Sequence, residues 1–422
     1  MSRRQLTVLT VAVFVLAGSV GQVFPLLSEL ETAYDLPSIG IGLVAGTAFF
    51  SSVAGQLALA PLADRGYTNH LLIGAVTASA FGSMLFVLAD GLPLLVTGRF
   101  ITGLGLGAFL PAARGLVAAE NPQRAGQHLG RLQAVELAGF LTGPIIGAEL
   151  AGAYGLDAPF IASAIAAAVF IPIVVTLRLP QLAPRHAPTR STRRIVRGLI
   201  RRPQVQVAVL LSVALIAPAG LYEAVWDIYI EDRGGSDRLV ALSLAIYGTM
   251  FIVMAPIGGR LADRRGPVPI GLAAAALIAP LTVVYGWITV PLVAACFVVG
   301  EAFLNGLGMP AVQSAMARAT GPGEQATGQG LAGASGEIAA GCLALVAAPV
   351  YRELGASWLF SGVAIGIAVV TLAAYRRTLV STGDDEAQAG AASSARSSTT
   401  TTPSADDRVA EVSPSAISTD TT

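Results

Sequence analysis

The chain has 422 residues, 54% of them apolar and only 12% charged, with a formal net charge of zero. A soluble domain carries about 25% charged residues, so an ordinary soluble globule is excluded and many membrane spans are expected. All 26 basic residues are arginine; a phosphate-cradling P-loop needs lysine, which argues against an ATP-driven pump and leaves an ion gradient as the energy source.

The first apolar run, about 5–27, follows a short basic start and lacks a cleavage pattern, so it reads as an uncleaved span. Further spans are expected at about 37–60, 70–90, 92–114, 128–152 and 157–177, then at about 205–228, 240–260, 268–287, 290–316, 328–350 and 356–375. Each is near the ~20 residues a bilayer requires. The count predicts an all-α membrane protein with six helices in 1–177 and six in 205–377. Residues 178–204 between them hold eight arginines and four prolines and read as a basic linker. Thr192 to Ile200 is expected to form an amphipathic helix on the membrane surface. Residues 378–422, rich in Ser, Thr, Ala and Asp from Ser381 onward, read as a disordered tail. Arginines cluster at alternate loops, including Arg65, Arg124, Arg260 and Arg264, whereas Glu29, Asp35, Asp90, Asp157 and Glu231 lie at the opposite ends. The asymmetry predicts a multi-pass protein of the cell membrane with both termini cytoplasmic.

The halves repeat each other. Leu62-Ala63-Asp64-Arg65 matches Leu261-Ala262-Asp263-Arg264, Gly103-Leu104-Gly105 matches Gly306-Leu307-Gly308, and Ala125 and Ala326 each stand eleven residues before an acid, Glu136 and Glu337. Matches in one order, offset by about 200 residues, indicate duplicated units.

Several polar residues fall inside apolar runs. Arg99, on the fourth span, sits about 10 Å into the hydrocarbon at 1.5 Å per residue, where a charge costs at least roughly 2.5–3.5 kcal/mol to insert. It therefore needs a partner or a wet cavity. Glu136, Glu301 and Glu337 all fall near mid-membrane. Each suits a proton carrier, since desolvation favours the protonated carboxyl, or a neutral hydrogen-bonding role in helix packing. On the seventh span Tyr222 and Trp226 lie one turn apart, as do Glu223 and Asp227. They form either a place where a cationic amphipathic substrate enters or an interfacial aromatic belt with solvated acids. On the fifth span Gly139, Gly143 and Gly147 recur every fourth residue, with Glu136 close to the same face. Lipid tolerates such glycines and Pro144, because small residues let helices approach closely.

Gly130, Gly139, Gly143-Pro144 and Gly147 resemble the antiporter motif on helix five of the major facilitator superfamily, typical of its drug:proton antiporters. Gly259, Asp263, Arg264 and Gly266 resemble that superfamily's loop motif, whose Asp and Arg latch neighbouring helix ends in the outward-open state. The first copy, with Asp64 and Arg65, departs from it: Ala60 replaces the leading glycine and Gly66 arrives one residue early, so a weaker latch is expected there. Arg99 resembles the family's fourth-helix arginine, linked to proton transfer, although a structural ion pair would also hold it. The resemblance spans about Gln5 to Arg377. It implies two pseudo-symmetric six-helix bundles that rock about a central cavity, no enzymatic activity and no cofactor. The expected partners are the lipid bilayer, protons and a small-molecule substrate, with no nucleic acid, in a monomer. It favours proton-coupled efflux of hydrophobic or drug-like compounds; the alternative is uptake of a sugar or organic anion by symport or uniport.

Overall fold

The computed structural model describes residues 1–177, 179–182 and 192–398. Arg178 and residues 183–191 of the expected linker, and residues 399–422 of the expected tail, lie outside the described residues.

Fourteen α-helices account for the fold among the described residues: α1 (Arg3–Gly21), α2 (Leu27–Tyr34), α3 (Ser38–Ala54), α4 (Thr68–Val87), α5 (Leu92–Glu120), α6 (Ala125–Tyr154), α7 (Ala158–Leu177), α8 (Thr192–Ile200), α9 (Pro203–Glu231), α10 (Asp237–Arg265), α11 (Pro267–Tyr285), α12 (Pro291–Ala319), α13 (Gln325–Leu354) and α14 (Ala356–Ser398). They supply 12 stretches long and apolar enough to cross a membrane. A short turn joins α1 to α2 within the first stretch, and α3 runs through a π-helical turn at Gly55–Leu59 and a 3₁₀ turn at Ala60–Arg65 to complete the second. Helix α5 does not stop at residue 114; it continues to Glu120 as a rod of 29 residues. At 1.5 Å per residue that is about 43 Å, well beyond a ~30 Å hydrocarbon core.

The same pairings recur in both halves. α1 packs on α6 as α9 packs on α13; α3 and α4 pack on α5 as α10 and α11 pack on α12. Across the halves, α6 packs on α10, and α13 packs on α3, its terminal turns and α5. Duplication visible as short sequence matches is thus a repeated packing scheme.

Glycines make the closest approaches. A methyl at Gly139 would collide with the Phe14 carbonyl of α1, and one at Gly143 with the Gly18 carbonyl. Nearer the arginine-rich end the same helix turns its glycines to the other half. A methyl at Gly130 would strike the Ala255 carbonyl of α10, and one at Gly259 the Gly126 carbonyl. Helix α6 is therefore joined to α1 by one set of glycines and to α10 by another.

Helix α8 forms over the residues expected. Its Leu199 is fully buried among Val205, Ala208, Ala315, Met316 and Ala332, so that side chain is seated on the second half of the protein, while Ile200 is exposed. Its Arg193, Arg194 and Arg197 are exposed. Thr192 accepts a hydrogen bond from Arg65 of the first half. The chain separates into two units, Met1–Thr378 and Leu379–Thr422. Helix α14 is continuous to Ser398, past the point where composition places the start of a disordered tail.

Candidate functional site

Two carboxylates close the arginine-rich end. Asp64, 5% exposed, accepts from the backbone N–H groups of Ala326 at 3.0 Å and Thr327 at 2.7 Å, and from the Thr327 hydroxyl at 2.7 Å. Asp263 accepts from the N–H groups of Gly126 at 2.8 Å and Gln127 at 2.9 Å, with Arg318 at 3.9 Å. Each aspartate ties one half to the first turn of a helix in the other, where unsatisfied N–H groups and the helix dipole favour an anion. The first-half latch, expected to be the weaker, has the larger set of hydrogen bonds. Its departures from the motif lie around Asp64 and leave the carboxylate in reach of α13. Of the other loop residues, Arg65 reaches Thr192 of α8, Arg264 is exposed, and Gly266 ends α10 at φ 92°, a left-handed conformation that glycine adopts without strain.

Between the halves lies a cavity of about 670 Å³. Glu136, Glu301, Tyr222, Glu223, Trp226 and Asp227 all line it. Glu223 and Asp227 are exposed, while the Trp226 ring is buried and its Nε1–H donates to Ser243 Oγ at 2.9 Å. The seventh-span cluster therefore forms cavity wall, not an interfacial belt facing lipid.

Glu136 accepts twice from Arg114 Nη2, at 2.7 and 3.0 Å. Arg114 comes from the lower part of α5, at the residue where that span was expected to end, and the continuing helix carries it into the protein. Glu337 is half-buried, off the cavity wall, and accepts from Gln56 Nε2 of the first half at 2.7 Å. Arg114 and Glu136 lie close enough to act on it electrostatically. Glu136, Arg114, Gln56 and Glu337 thus make one polar chain across the interface. Glu301, 2% exposed, stands apart in the second half, facing the hydroxyls of Tyr222 and Tyr285; neither hydroxyl closes a hydrogen bond of ordinary geometry.

Arg99 does not join these acids. It is fully buried, donates from Nε to the Val44 carbonyl at 3.1 Å and from Nη1 to the Val20 carbonyl at 2.6 Å, and lies 5.1 Å from the centre of the Phe24 ring. It clamps α5 to α1 and α3, and backbone carbonyls stabilise its charge in place of a carboxylate. Sequence placed it with the coupling acids; the structure gives that neighbourhood to Arg114. Of the antiporter-motif residues, Gly139, Gly143 and Gly147 abut α1 and Gly130 abuts α10, and Pro144 lies inside α6.

Arg114, Gln56, Tyr247, Tyr285 and Asn305 were not anticipated. An arginine within Ala112-Ala113-Arg114-Gly115-Leu116 was a usable signal, as was Asn305 four residues after Glu301 on one helix face. Tyr247 and Tyr285 come from other helices, and nothing local marks them.

Comparison with known proteins agrees with this architecture. A family described as the Major Facilitator Superfamily matches residues 9–338 and 210–409. A "Multidrug resistance protein MdtG" of Enterobacter lignolyticus is 27% identical over 327 residues, 74% of this chain and 77% of that protein. The one from Citrobacter koseri is 26% identical over 325 residues, 74% of this chain and 79% of its own. Among solved structures, the human organic anion transporter MFSD10 superposes with TM-score 0.74 at 18% identity, covering 88% of this chain and 99% of that one. The transporter FucP in its outward conformation superposes with TM-score 0.72 at 19% identity, covering 88% and 98%. Duplicated six-helix packing, an acid latch at each repeat and the family match lead to one conclusion: the chain belongs to the Major Facilitator Superfamily of transporters.

Proposed function

We propose that this chain exports small hydrophobic or drug-like compounds across a cell membrane in exchange for protons, as a monomer, with the arginine-rich end in the cytoplasm. The observation that carries the reading is one cavity lined by four carboxylates, of which Glu136 and Glu301 come from opposite halves, with Glu337 linked to Glu136 through Arg114. The multidrug-resistance relatives support the direction, and the arginine asymmetry supports the orientation. With the cytoplasmic end latched, the cavity faces outward. A proton arriving from outside neutralises a carboxylate and releases substrate; the latches then open and the proton leaves inward. Uptake of an organic anion has less support. Arg99, the residue that would bind such a substrate, is off the cavity, and Arg114 is paired.

The test is transport by the purified chain in liposomes under an imposed pH gradient. Replacing Glu136, Glu301 and Glu337 together by Gln is expected to uncouple substrate movement from the gradient. Coupling that survives the triple replacement rejects the reading.

A further inference from the structure

Arginines collect at the latched end of the chain, yet Arg233 stands at the opposite end, beside Glu231, Asp232 and Asp237. The charge asymmetry that orients a membrane protein does not account for it. The local fold does. Helix α9 ends in a turn where Gly234 takes φ 78° and the Gly235 N–H bonds back to the Ile230 carbonyl at 2.9 Å. Arg233 Nη1 donates to the Tyr229 carbonyl at 2.9 Å, one of the terminal carbonyls that a helix leaves open and a cation favours. Its Nε donates to the Ile288 carbonyl, between α11 and α12, at 2.7 Å. Nη1 also donates to the Tyr351 hydroxyl of α13 at 3.1 Å, and that hydroxyl donates to Asp232 at 2.9 Å.

The guanidinium does more than close this end. Its carbon lies 3.7 Å from the centre of the Tyr229 ring, where a cation is attracted to the ring face. Tyr229 is fully buried, and its hydroxyl donates to the Tyr285 carbonyl at 2.6 Å. The same ring stacks on Trp226, with centres 5.5 Å apart and planes 19° apart. Trp226 lines the cavity, and its indole N–H is tied to Ser243 of α10. A cation, a buried ring and a ring of the cavity wall thus touch in series, while Arg233 itself is not part of that wall.

We propose that Arg233 is a positioning residue for the cavity: through Tyr229 it fixes the Trp226 ring and so sets how tightly a drug-like substrate is held, without touching it. Its place in transport rests on the efflux reading; the fixing of Trp226 does not.

The chain holds three tryptophans. Trp287 and Trp358 are exposed, and replacing both by Phe leaves Trp226 as the reporter in the full-length chain. In that background Arg233→Gln is expected to raise acrylamide quenching of Trp226 about twofold or more, as for a lost cation–ring contact. In liposomes the same variant is expected to raise the KM for ethidium about fivefold with kcat little changed, the pattern of a binding contact weakened equally in ground and transition states. Arg233→Lys keeps a cation for the Tyr229 ring and should recover part of both shifts. A residue that only held the fold together would lower kcat through the fraction of active chain and leave KM and the quenching of folded protein alone. A folded Arg233→Gln chain with unchanged quenching overturns the proposal, and so does increased quenching with an unchanged KM. Where Arg233→Gln does not fold, Tyr351→Phe decides, since it removes only the hydroxyl that accepts from Arg233: a smaller rise in quenching supports the proposal and no rise overturns it. An unaltered chain that moves no ethidium counts against the efflux reading, while the quenching measurements still decide whether Arg233 fixes Trp226.

Discussion

Replacing Asp64 by Asn tests the latch that the structure ranks first. The carboxylate accepts three hydrogen bonds from the start of α13. An amide keeps one acceptor oxygen and turns its NH₂ toward an N–H. At least one hydrogen bond to a charged group is lost, worth ~1.5–3 kcal/mol, together with a charge–dipole attraction of ~0.3–1 kcal/mol. A net loss of about 2–3 kcal/mol shifts the closed-to-open ratio of the arginine-rich end by roughly 30- to 150-fold. Asp263 has two backbone bonds, so Asp263→Asn should shift it less. The assay is the distance between spin labels at Gln123 and Arg265, both exposed at that end, with Cys296 and Cys342 replaced by Ala. Asp64→Asn should widen the distribution more than Asp263→Asn. An unchanged distribution for Asp64→Asn, or a larger response to Asp263→Asn, would show that burial and bond number do not set latch strength here.

Three further outcomes follow from the packing. Gly139→Ala pushes a methyl into the Phe14 carbonyl of α1 and should cost about 1–3 kcal/mol, seen as a lower thermal unfolding temperature in detergent. Gly152→Ala, on the same helix with nothing within 4 Å, should be neutral or gain up to about 1 kcal/mol from reduced backbone entropy in the unfolded chain; equal losses at both sites would count against the close-approach argument. Arg114→Met strands Glu136 and should destabilise by on the order of 3 kcal/mol, and adding Glu136→Leu should restore most of that; absence of recovery would mean that the pair is not the source. Arg99→Met removes two bonds to backbone carbonyls and should lower stability by roughly 3 kcal/mol while leaving the proton-to-substrate ratio of reconstituted transport unchanged. A changed ratio would return Arg99 to the coupling machinery.

Legibility divided along physical lines. Hydropathy decided the twelve spans, because oil demands about 20 apolar residues in a row wherever a chain crosses it. The latching aspartates and the α6 glycines were also legible, since a duplicated loop and a fourfold glycine spacing are local patterns. Three of the four expected coupling residues, Glu136, Glu301 and Glu337, fall at or beside the cavity, because a mid-membrane acid has few other places to go.

Sequence alone therefore determined the number of spans, the repeat and which acids lie deep. The partners of those acids were decided only by tertiary structure. Arg99 and Arg114 sit on one helix in similar surroundings, yet backbone carbonyls of α1 and α3 take the first and Glu136 of α6 takes the second. The ring around Glu301 draws on α9, α10 and α11, whose side chains meet only once the bundle has assembled. Depth is a property of one helix and can be read along it; the company a charge keeps depends on how helices distant in sequence cross, and no local pattern encodes that crossing.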